Sequence, residues 1–302
     1  MRDERTRRQR TLSRSVALDG HGLFCGQDVR LELCPAPEDH GIVFERTDLP
    51  TPVRIPALID FVVPQPRCTV IQHNGAHVAV IEHVMAALAG MQVDNCLVRL
   101  NAPEPPGCDG SAIAFVELID QAGVVEQTAE REVFSVPEAV TVVENHDVGV
   151  AAMPPRTDEY EIGFLLDYGN GPIHPQGHCC QLSPEQFRSH IAAARTFVLR
   201  KEVEALRSQG IGLRATPQDL LVFDTHGPID NSLRFKDECA RHKLLDCVGD
   251  FALFGCDLRG RFVAQQSGHR LNHALVRELR KLREQAGAAE GHSPSQKLRR
   301  VG

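Results

Sequence analysis

Three short segments carry the residue types that metal-assisted hydrolysis needs. The first is Glu238-Cys239-Ala240-Arg241-His242-Lys243-Leu244-Leu245-Asp246-Cys247-Val248-Gly249-Asp250. Written as a helix, it places His242, Lys243, Asp246 and Asp250 within an arc of about 100°. Leu244, Leu245, Val248, Phe251 and Ala252 fill the opposite side. His242 and Asp246 are spaced i, i+4, so their side chains are neighbours and could share one metal ion. A salt-bridged helix surface accounts for that pair at least as well. A third ligand is needed, because catalytic zinc takes three protein ligands and keeps a fourth position open.

Glu82-His83 supplies a candidate at the start of an apolar run, Val84-Met85-Ala86-Ala87-Leu88-Ala89, ended by Gly90. A buried, satisfied histidine is the plainer explanation. An acid beside a ligand histidine also fits a base that takes the proton of an attacking water. The HExxH pattern of the zinc proteases is absent. The third segment is Ser267-Gly268-His269-Arg270-Leu271-Asn272-His273, which puts His269 in a Gly-flanked turn before a helix. His174, His178, Cys179 and Cys180 are also dense in ligand types. Pro175, Gln176 and Gly177 break any helix there, and adjacent cysteines rarely reach one tetrahedral ion together, so no metal site is expected.

The elements that must position these groups alternate in a simple order. Strands are expected at Thr11–Leu18, Val29–Cys34, Gly41–Arg46, Val53–Val63 and Cys68–Gln72. A strand start and a helix follow over Val78–Gly90, then a strand Asn95–Leu100 and a helix Ala112–Gln121, with Ser111 as its cap and Gly123 as its stop. Polar residues Glu126–Glu132 read as a linker. The second half opens with a hairpin of Val136–Glu144 and Val148–Met153 and a strand Tyr160–Tyr168. Helices follow at Pro184–Ala194 and Glu202–Gln209, then the Glu238–Asp250 helix, a strand Gly260–Gln266 and a helix His273–Gln285. Each half thus runs strands, helix, strand, helix, which predicts an α+β protein with two domains of similar architecture. The expected boundaries are 1–127 for the first domain and 128–285 for the second. The small, polar and basic tail 286–302 is expected to be disordered.

Composition narrows the function classes. A chain of 302 residues with 42% apolar and 24% charged residues can bury a large core. Its net charge of -7 argues against a general nucleic-acid binder. The basic start (Arg2, Arg5, Arg7, Arg8, Arg10, Arg14) lacks the apolar run of a secretory signal and reads as a solvated arm. No stretch is long and apolar enough to span a bilayer. The ten cysteines form no CxxC pair, and they read as core residues or free thiols of a cytoplasmic protein.

Taken together, these segments resemble a known family, the zinc-dependent UDP-3-O-acyl-N-acetylglucosamine deacetylases of lipid A biosynthesis. The resemblance runs from about Arg8 to Lys281. It is carried by Gly41-Ile42-Val43-Phe44-Glu45-Arg46-Thr47-Asp48-Leu49, Glu82 to Leu88, Asp109-Gly110-Ser111-Ala112, Ala194-Arg195-Thr196-Phe197, Leu233-Arg234-Phe235, Arg241 to Asp246, and Ser267-Gly268-His269. Each segment is weak alone; the order and spacing of all of them are specific.

The resemblance implies two similar domains, each a sheet with two helices, the helices of both packed between the sheets and the site at the junction. It implies Zn2+ held by His83, His242 and Asp246. Glu82 then matches the general base, His269 the acid that protonates the leaving amine, and Asp250 its carboxylate partner. Lys243 and Thr196 match groups beside the developing oxyanion. The implied substrate is a UDP-sugar with an ester-linked acyl chain, the acyl chain entering a passage built from an insert in the second domain near 195–216; the protein itself is expected to be a monomer. Phe197, Val198, Leu199, Leu206, Ile211 and Leu213 are candidates for that passage and equally for ordinary core. Tyr168, after Asp167, matches an aromatic near the uridine, and Cys68 a thiol near the metal.

The chain departs from the family's common pattern at Phe24-Cys25, at Arg214-Ala215-Thr216 and at Leu199, none of them in the zinc set. These changes bear on acyl-chain length. Two other functions stay open from the sequence. One is a zinc amidase acting on a different N-acetyl sugar. The other is a catalytically silent sugar-nucleotide binder, against which the intact ligand and proton-transfer set argues.

Overall fold

The computed structural model describes residues 6–156 and 159–290. The chain begins with β1 (Arg8–Leu12), β2 (Val16–His21), β3 (Asp28–Pro35), β4 (Ile42–Arg46) and β5 (Val53–Pro56). A 3-10 turn, Ile59–Phe61, leads to β6 (Val62–Val63), β7 (Val70–His73) and β8 (Ala76–Ala79). Helix α1 (Glu82–Gly90), β9 (Cys96–Leu100) and α2 (Ile113–Ala122) follow. Then come β10 (Val124–Glu130), β11 (Val133–Ser135), β12 (Val140–Asn145), β13 (Val148–Met153), β14 (Tyr160–Leu166) and β15 (Gln176–Gln181). The rest is α3 (Pro184–Gln186), β16 (Phe197–Leu199), α4 (Arg200–Ser208), β17 (Leu221–Asp224), β18 (Gly227–Pro228), α5 (Glu238–Ala252), β19 (Asp257–Gln265) and α6 (His269–Glu290).

The fold is α+β, with mixed sheets and six α-helices among the described residues. One sheet has the order β2-β3-β9-β4-β5, with β4 parallel to β9 and the other pairs antiparallel. A second has the order β12-β13-β19-β14-β15, with β14 and β11 parallel to β19. Alternation sets which face of each is buried. Val29, Leu31 and Leu33 of β3 point into the core, as do Ile162, Phe164 and Leu166 of β14. Helix α2 packs on β2, α5 on β14 and β15, and α6 on β12 and β13, while α1 lies against α2 and α5. Residues of both large sheets and of all four of these helices join one continuous apolar cluster.

Helix α1 is buried on every side; of its nine residues only Ala89 is partly exposed. The apolar run from Val84 to Gly90 accounts for most of this, since that stretch has no side to offer water. The turn into it is strained. Val80, a β-branched residue, sits at φ 57° immediately after β8. Helix α5 is buried nearly all round as well: His242, Asp246 and Asp250 are as enclosed as Leu244 and Leu245. Its polar arc is therefore interior, facing α1 and α6, not a surface. The crossing of α1 and α5 is unusually close. A Cβ on Gly249 would lie 2.1 Å from the Glu82 carbonyl oxygen, so only glycine allows that approach.

Several expected elements change on folding. Residues read as a linker at 126–132 include most of β10, which pairs antiparallel with β1. Its polar side chains misled because they bond across the fold: Gln127 accepts from Asn95 and donates to the Ala36 carbonyl, and Glu38 accepts from Thr128. The basic start is not a solvated arm from Arg7 onward. Arg7 forks onto Asp94 at 2.6 Å and Asp257 at 2.8 Å, carboxylates that follow α1 and α5 respectively. Arg131 reaches the same two carboxylates at 3.0 Å. Arg2 and Arg5 lie outside the described residues. The Pro184 helix has one α turn, capped by Ser183, and then widens into a π turn over Phe187–Ile191. Helix α6 begins at His269, four residues earlier than expected, and continues through 286–290 of the expected tail. Residues 291–302 of that tail lie outside the described residues.

Gly249→Ala tests the helix crossing. The extra methyl forces α1 and α5 apart, and overpacking of this kind costs about 1–3 kcal/mol. A clear fall in Tm is expected; an unchanged Tm would show that the helices do not touch there.

Candidate metal centre

The α1–α5 crossing sets the first residues of one helix beside the middle of the other. His83 and His242 meet edge to face, with ring centroids 5.1 Å apart. The Asp246 Oδ1 atom lies 3.4 Å from His242 Nε2 and 3.7 Å from His83 Nε2. Donor atoms around a tetrahedral zinc, each about 2.0–2.2 Å from the ion, sit about 3.3 Å apart, so these separations suit one ion. The three side chains form one of two groups among the described residues whose atoms converge closely enough to hold a metal.

The donor chemistry fits as well. Asp246 Oδ1 is buried without a hydrogen-bond partner among the described residues, while Oδ2 accepts from Lys243 Nζ at 2.6 Å. An orphaned carboxylate oxygen is costly unless a cation meets it. His242 Nδ1 lies 3.1 Å from the Ala194 carbonyl, which can only accept, so Nδ1 carries the proton and Nε2 keeps its lone pair. Burial and the neighbouring His242 push His83 down to about 3, and burial also lowers His242. Burial works to raise Asp246, but Lys243 and the surrounding imidazoles outweigh it and hold the carboxyl well below its usual range. Two neutral imidazoles and one carboxylate are a donor set that zinc takes.

Beside this trio lies a second network. Glu82 Oε2 accepts from the Thr69 backbone N–H at 3.0 Å, and Oε1 stands 3.8 Å from His269 Nε2. Burial, only partly offset by His269, pushes Glu82 up to about 7. On its other side the His269 ring bonds through Nδ1 to Asp250 Oδ2 at 2.8 Å. Burial pulls His269 down, yet Asp250 and Glu82 outweigh it and raise the ring to about 9. Asp250 is fully buried and held well below the usual range against its own desolvation by His269 and His273. The two carboxylates beside the trio thus have opposite leanings, one toward taking a proton and one toward staying ionised.

Most of the residues singled out in the sequence line one cavity of about 1090 Å3: Glu82, His83, Thr196, Phe197, Tyr168, His242, Lys243, Asp246 and His269. Its walls continue over Val198, Leu206 and Ile211. Asp250 sits behind His269. Phe197 faces the His242 ring at 6.3 Å and Tyr168 at 6.0 Å. Leu199, Leu213 and Cys68 are not part of that wall. Leu213 is exposed, and Cys68 is buried with Val70 and Val80, which pushes its thiol up to about 12. The His174–Cys180 stretch forms no ligand cluster; His178 bonds to Asp237 at 2.9 Å.

The sequence reading missed four groups. Thr69 and Asn272 both donate to Asp250, at 2.5 and 2.8 Å. His273 approaches the same carboxylate. Glu238, fully buried, binds Arg195 and so anchors the segment that presents Thr196. His273 was findable: it is i+4 from His269 once the helix is started at His269. Thr69 carries no signal in its own segment.

The chain matches the UDP-3-O-acyl N-acetylglycosamine deacetylase family over residues 9–281. A UDP-3-O-acyl-N-acetylglucosamine deacetylase of Myxococcus xanthus is 42% identical over 272 residues, covering 90% of this chain and 86% of the relative. Proteins of the same name from Geotalea uraniireducens and an Anaeromyxobacter species are 40% and 39% identical, with 90% of this chain and 88% of each relative covered. The chain belongs to this family, and it is a zinc-dependent amide hydrolase.

Asp250→Asn tests the second network. Removing the carboxylate should drop the His269 titration from about 9 by roughly 1–3 pH units, followed by imidazole NMR. Linkage has a definite sign here. The folded value lies above the unfolded value of about 6.5, so the contribution is complete below about 6.5 and is lost as pH rises through about 9. The variant should lack that alkaline loss in urea unfolding. A His269 titration unmoved in Asp250→Asn would break the assignment.

Proposed function

We propose that this chain removes the N-acetyl group of a UDP-3-O-acyl-N-acetylglucosamine, releasing acetate, as an early committed step of lipid A biosynthesis. The relatives' shared name supports the substrate. The observation that carries the reading is the cavity of about 1090 Å3, which joins the His83, His242 and Asp246 trio to the apolar residues Phe197, Val198, Leu206 and Ile211. A site for a sugar amide alone would not need an apolar extension of that kind; one for an acylated sugar would.

His83, His242 and Asp246 would hold Zn2+. When bound, the metal supplies Lewis acidity to the amide carbonyl and lowers the pKa of water. Glu82, raised by burial, accepts the proton of the attacking water. His269, kept charged by Asp250, gives its proton to the departing amine. A carboxylate and an imidazolium 3.8 Å apart divide that proton work between them, one taking a proton and the other giving one. Lys243 and the Thr196 hydroxyl meet negative charge growing on the carbonyl oxygen. Phe197 and Tyr168 contact the substrate directly, and Leu199 and Cys68 shape the wall from behind.

The same reading carries the expected organisation: a first domain, 1–127, giving Glu82 and His83, and a second, 128–285, giving the other groups. Each would be a sheet with two helices, the helices of both lying between the sheets. Because one chain supplies every ligand, a monomer suffices. A cytoplasmic location suits a UDP-sugar substrate, and no helix among the described residues is long and apolar enough to cross a membrane.

Two variants and one substrate pair test this. His83→Ala should lose bound zinc, whereas Glu82→Ala should keep it and lose about 10²–10⁴-fold in kcat. A full equivalent of zinc in His83→Ala would sink the ligand assignment. Acylated UDP-N-acetylglucosamine should react far faster than the non-acylated sugar; equal rates would point to another N-acetyl sugar.

A further inference from the structure

The described residues hold a second group of ligand-type side chains, Asp250, His269 and His273. It differs from the first in one respect. No oxygen of Asp250 is left without a partner: Oδ2 takes His269 Nδ1 and Asn272 Nδ2, both at 2.8 Å, and Oδ1 takes Thr69 Oγ1 at 2.5 Å. The group is therefore a closed proton network with no orphaned atom for a cation. Asp250, Asn272 and Thr69 already have a part around His269. His273, 5% exposed on the next turn of α6, does not.

Proton accounting defines what His273 does. Its Nε2 lies 3.0 Å from Thr69 Oγ1 and 3.3 Å from Asp250 Oδ1. Thr69 has one hydroxyl proton, and its shortest contact gives that proton to Asp250. Both atoms facing His273 Nε2 are then acceptors, so this nitrogen carries a proton. We infer that His273 is a positioning residue for His269: its Nε2–H, with Thr69, holds Asp250 and draws charge from the carboxylate that His269 shares. Asp250 is thereby a weaker partner for His269 than a carboxylate serving one imidazole, and His269 releases its proton more readily. This inference rests on the reading of His269 as proton donor.

The sign holds for either charge state of His273. A neutral ring donates to Asp250, and a charged ring also repels the His269 imidazolium, so removing it raises the His269 titration in both cases. The other groups around His269 stay in place. From α1 these are Glu82 and His83, and from α5 Asp246, Asp250 and His242, with Lys243 held on Asp246. Glu144 of β12 is taken by Arg270, and Asp60 of the 3-10 turn by Arg280, while Arg277 bonds to the Val62 carbonyl.

The test compares zinc-loaded wild type with His273→Leu and His273→Gln. Two readouts are followed from pH 6 to 10.5: imidazole NMR of His269 and the pH profile of kcat/KM. The leucine variant should move the His269 titration and the alkaline limb upward by roughly half a pH unit or more. It should also lower kcat near neutrality by roughly 3–10-fold, the worth of one hydrogen bond. Glutamine, whose amide N–H can stand near the place of Nε2, should keep the limb nearer to wild type than leucine does. Should leucine unfold the chain, His273→Asn, too short to reach Thr69, replaces it. A His269 titration that stays put or falls in the leucine or asparagine variant overturns the inference, whatever happens to Tm. An alkaline limb that persists in His269→Gln overturns the reading of His269 as proton donor, while the NMR titration still decides the role of His273.

Discussion

The contact on which the rest depends is backbone against backbone, where Gly249 of α5 meets the Glu82 carbonyl of α1. A side chain at that point would hold the helices apart by the width of a methyl group or more. With glycine there, the first residues of α1 reach the middle of α5. Glu82 and His83 come from one helix, His242, Asp246 and Asp250 from the other, and neither helix has the ion-binding geometry alone. Burial drives them together, since α1 is apolar from Val84 to Gly90 and α5 is enclosed nearly all round. At their far ends, Arg7 and Arg131 bridge Asp94 and Asp257, tying the segments that follow the two helices.

The same enclosure separates chemically similar groups into different states. His83 and His242 lose their charge because desolvation outweighs one nearby carboxylate. His269 keeps its charge because it has Asp250 in direct contact and Glu82 beyond its other nitrogen. Asp246 and Asp250 are held ionised by cationic neighbours, while Glu82, with more desolvation than compensation, moves toward neutrality. Three imidazoles and three carboxylates thus divide into a trio able to hold a metal and a second trio, Glu82, His269 and Asp250, beside it. Water exclusion sharpens both, since charge interactions gain strength as the local dielectric falls.

Much of the architecture was legible because it rests on local patterning. Helix α5, the hairpin of β12 and β13, and the Gly123 stop after α2 follow from periodicity and turn chemistry. The misreadings came where tertiary partners replaced local signals. The polar stretch of β10 reads as a linker until its side chains find Asn95, Ala36 and Glu38 on distant segments. Gly268 suggested a turn holding His269, yet α6 starts at that histidine. The charged arc of α5 looked like a surface because nothing in its own segment shows that α1 and α6 cover it.

The sequence by itself determined which groups are present and how some are paired. The i, i+4 spacing of His242 and Asp246 is a property of any helix carrying those residues. The adjacency of Glu82 and His83, and the run of segments shared with the deacetylase family, are equally independent of packing. Only the tertiary structure decided that Asp246 turns an orphaned oxygen toward both histidines, that Asp250 is shared by four donors, and which imidazoles are charged. Protonation and coordination depend on the neighbours and solvent exclusion that a group meets. Here those neighbours come from segments as far apart in the chain as Thr69 and His273.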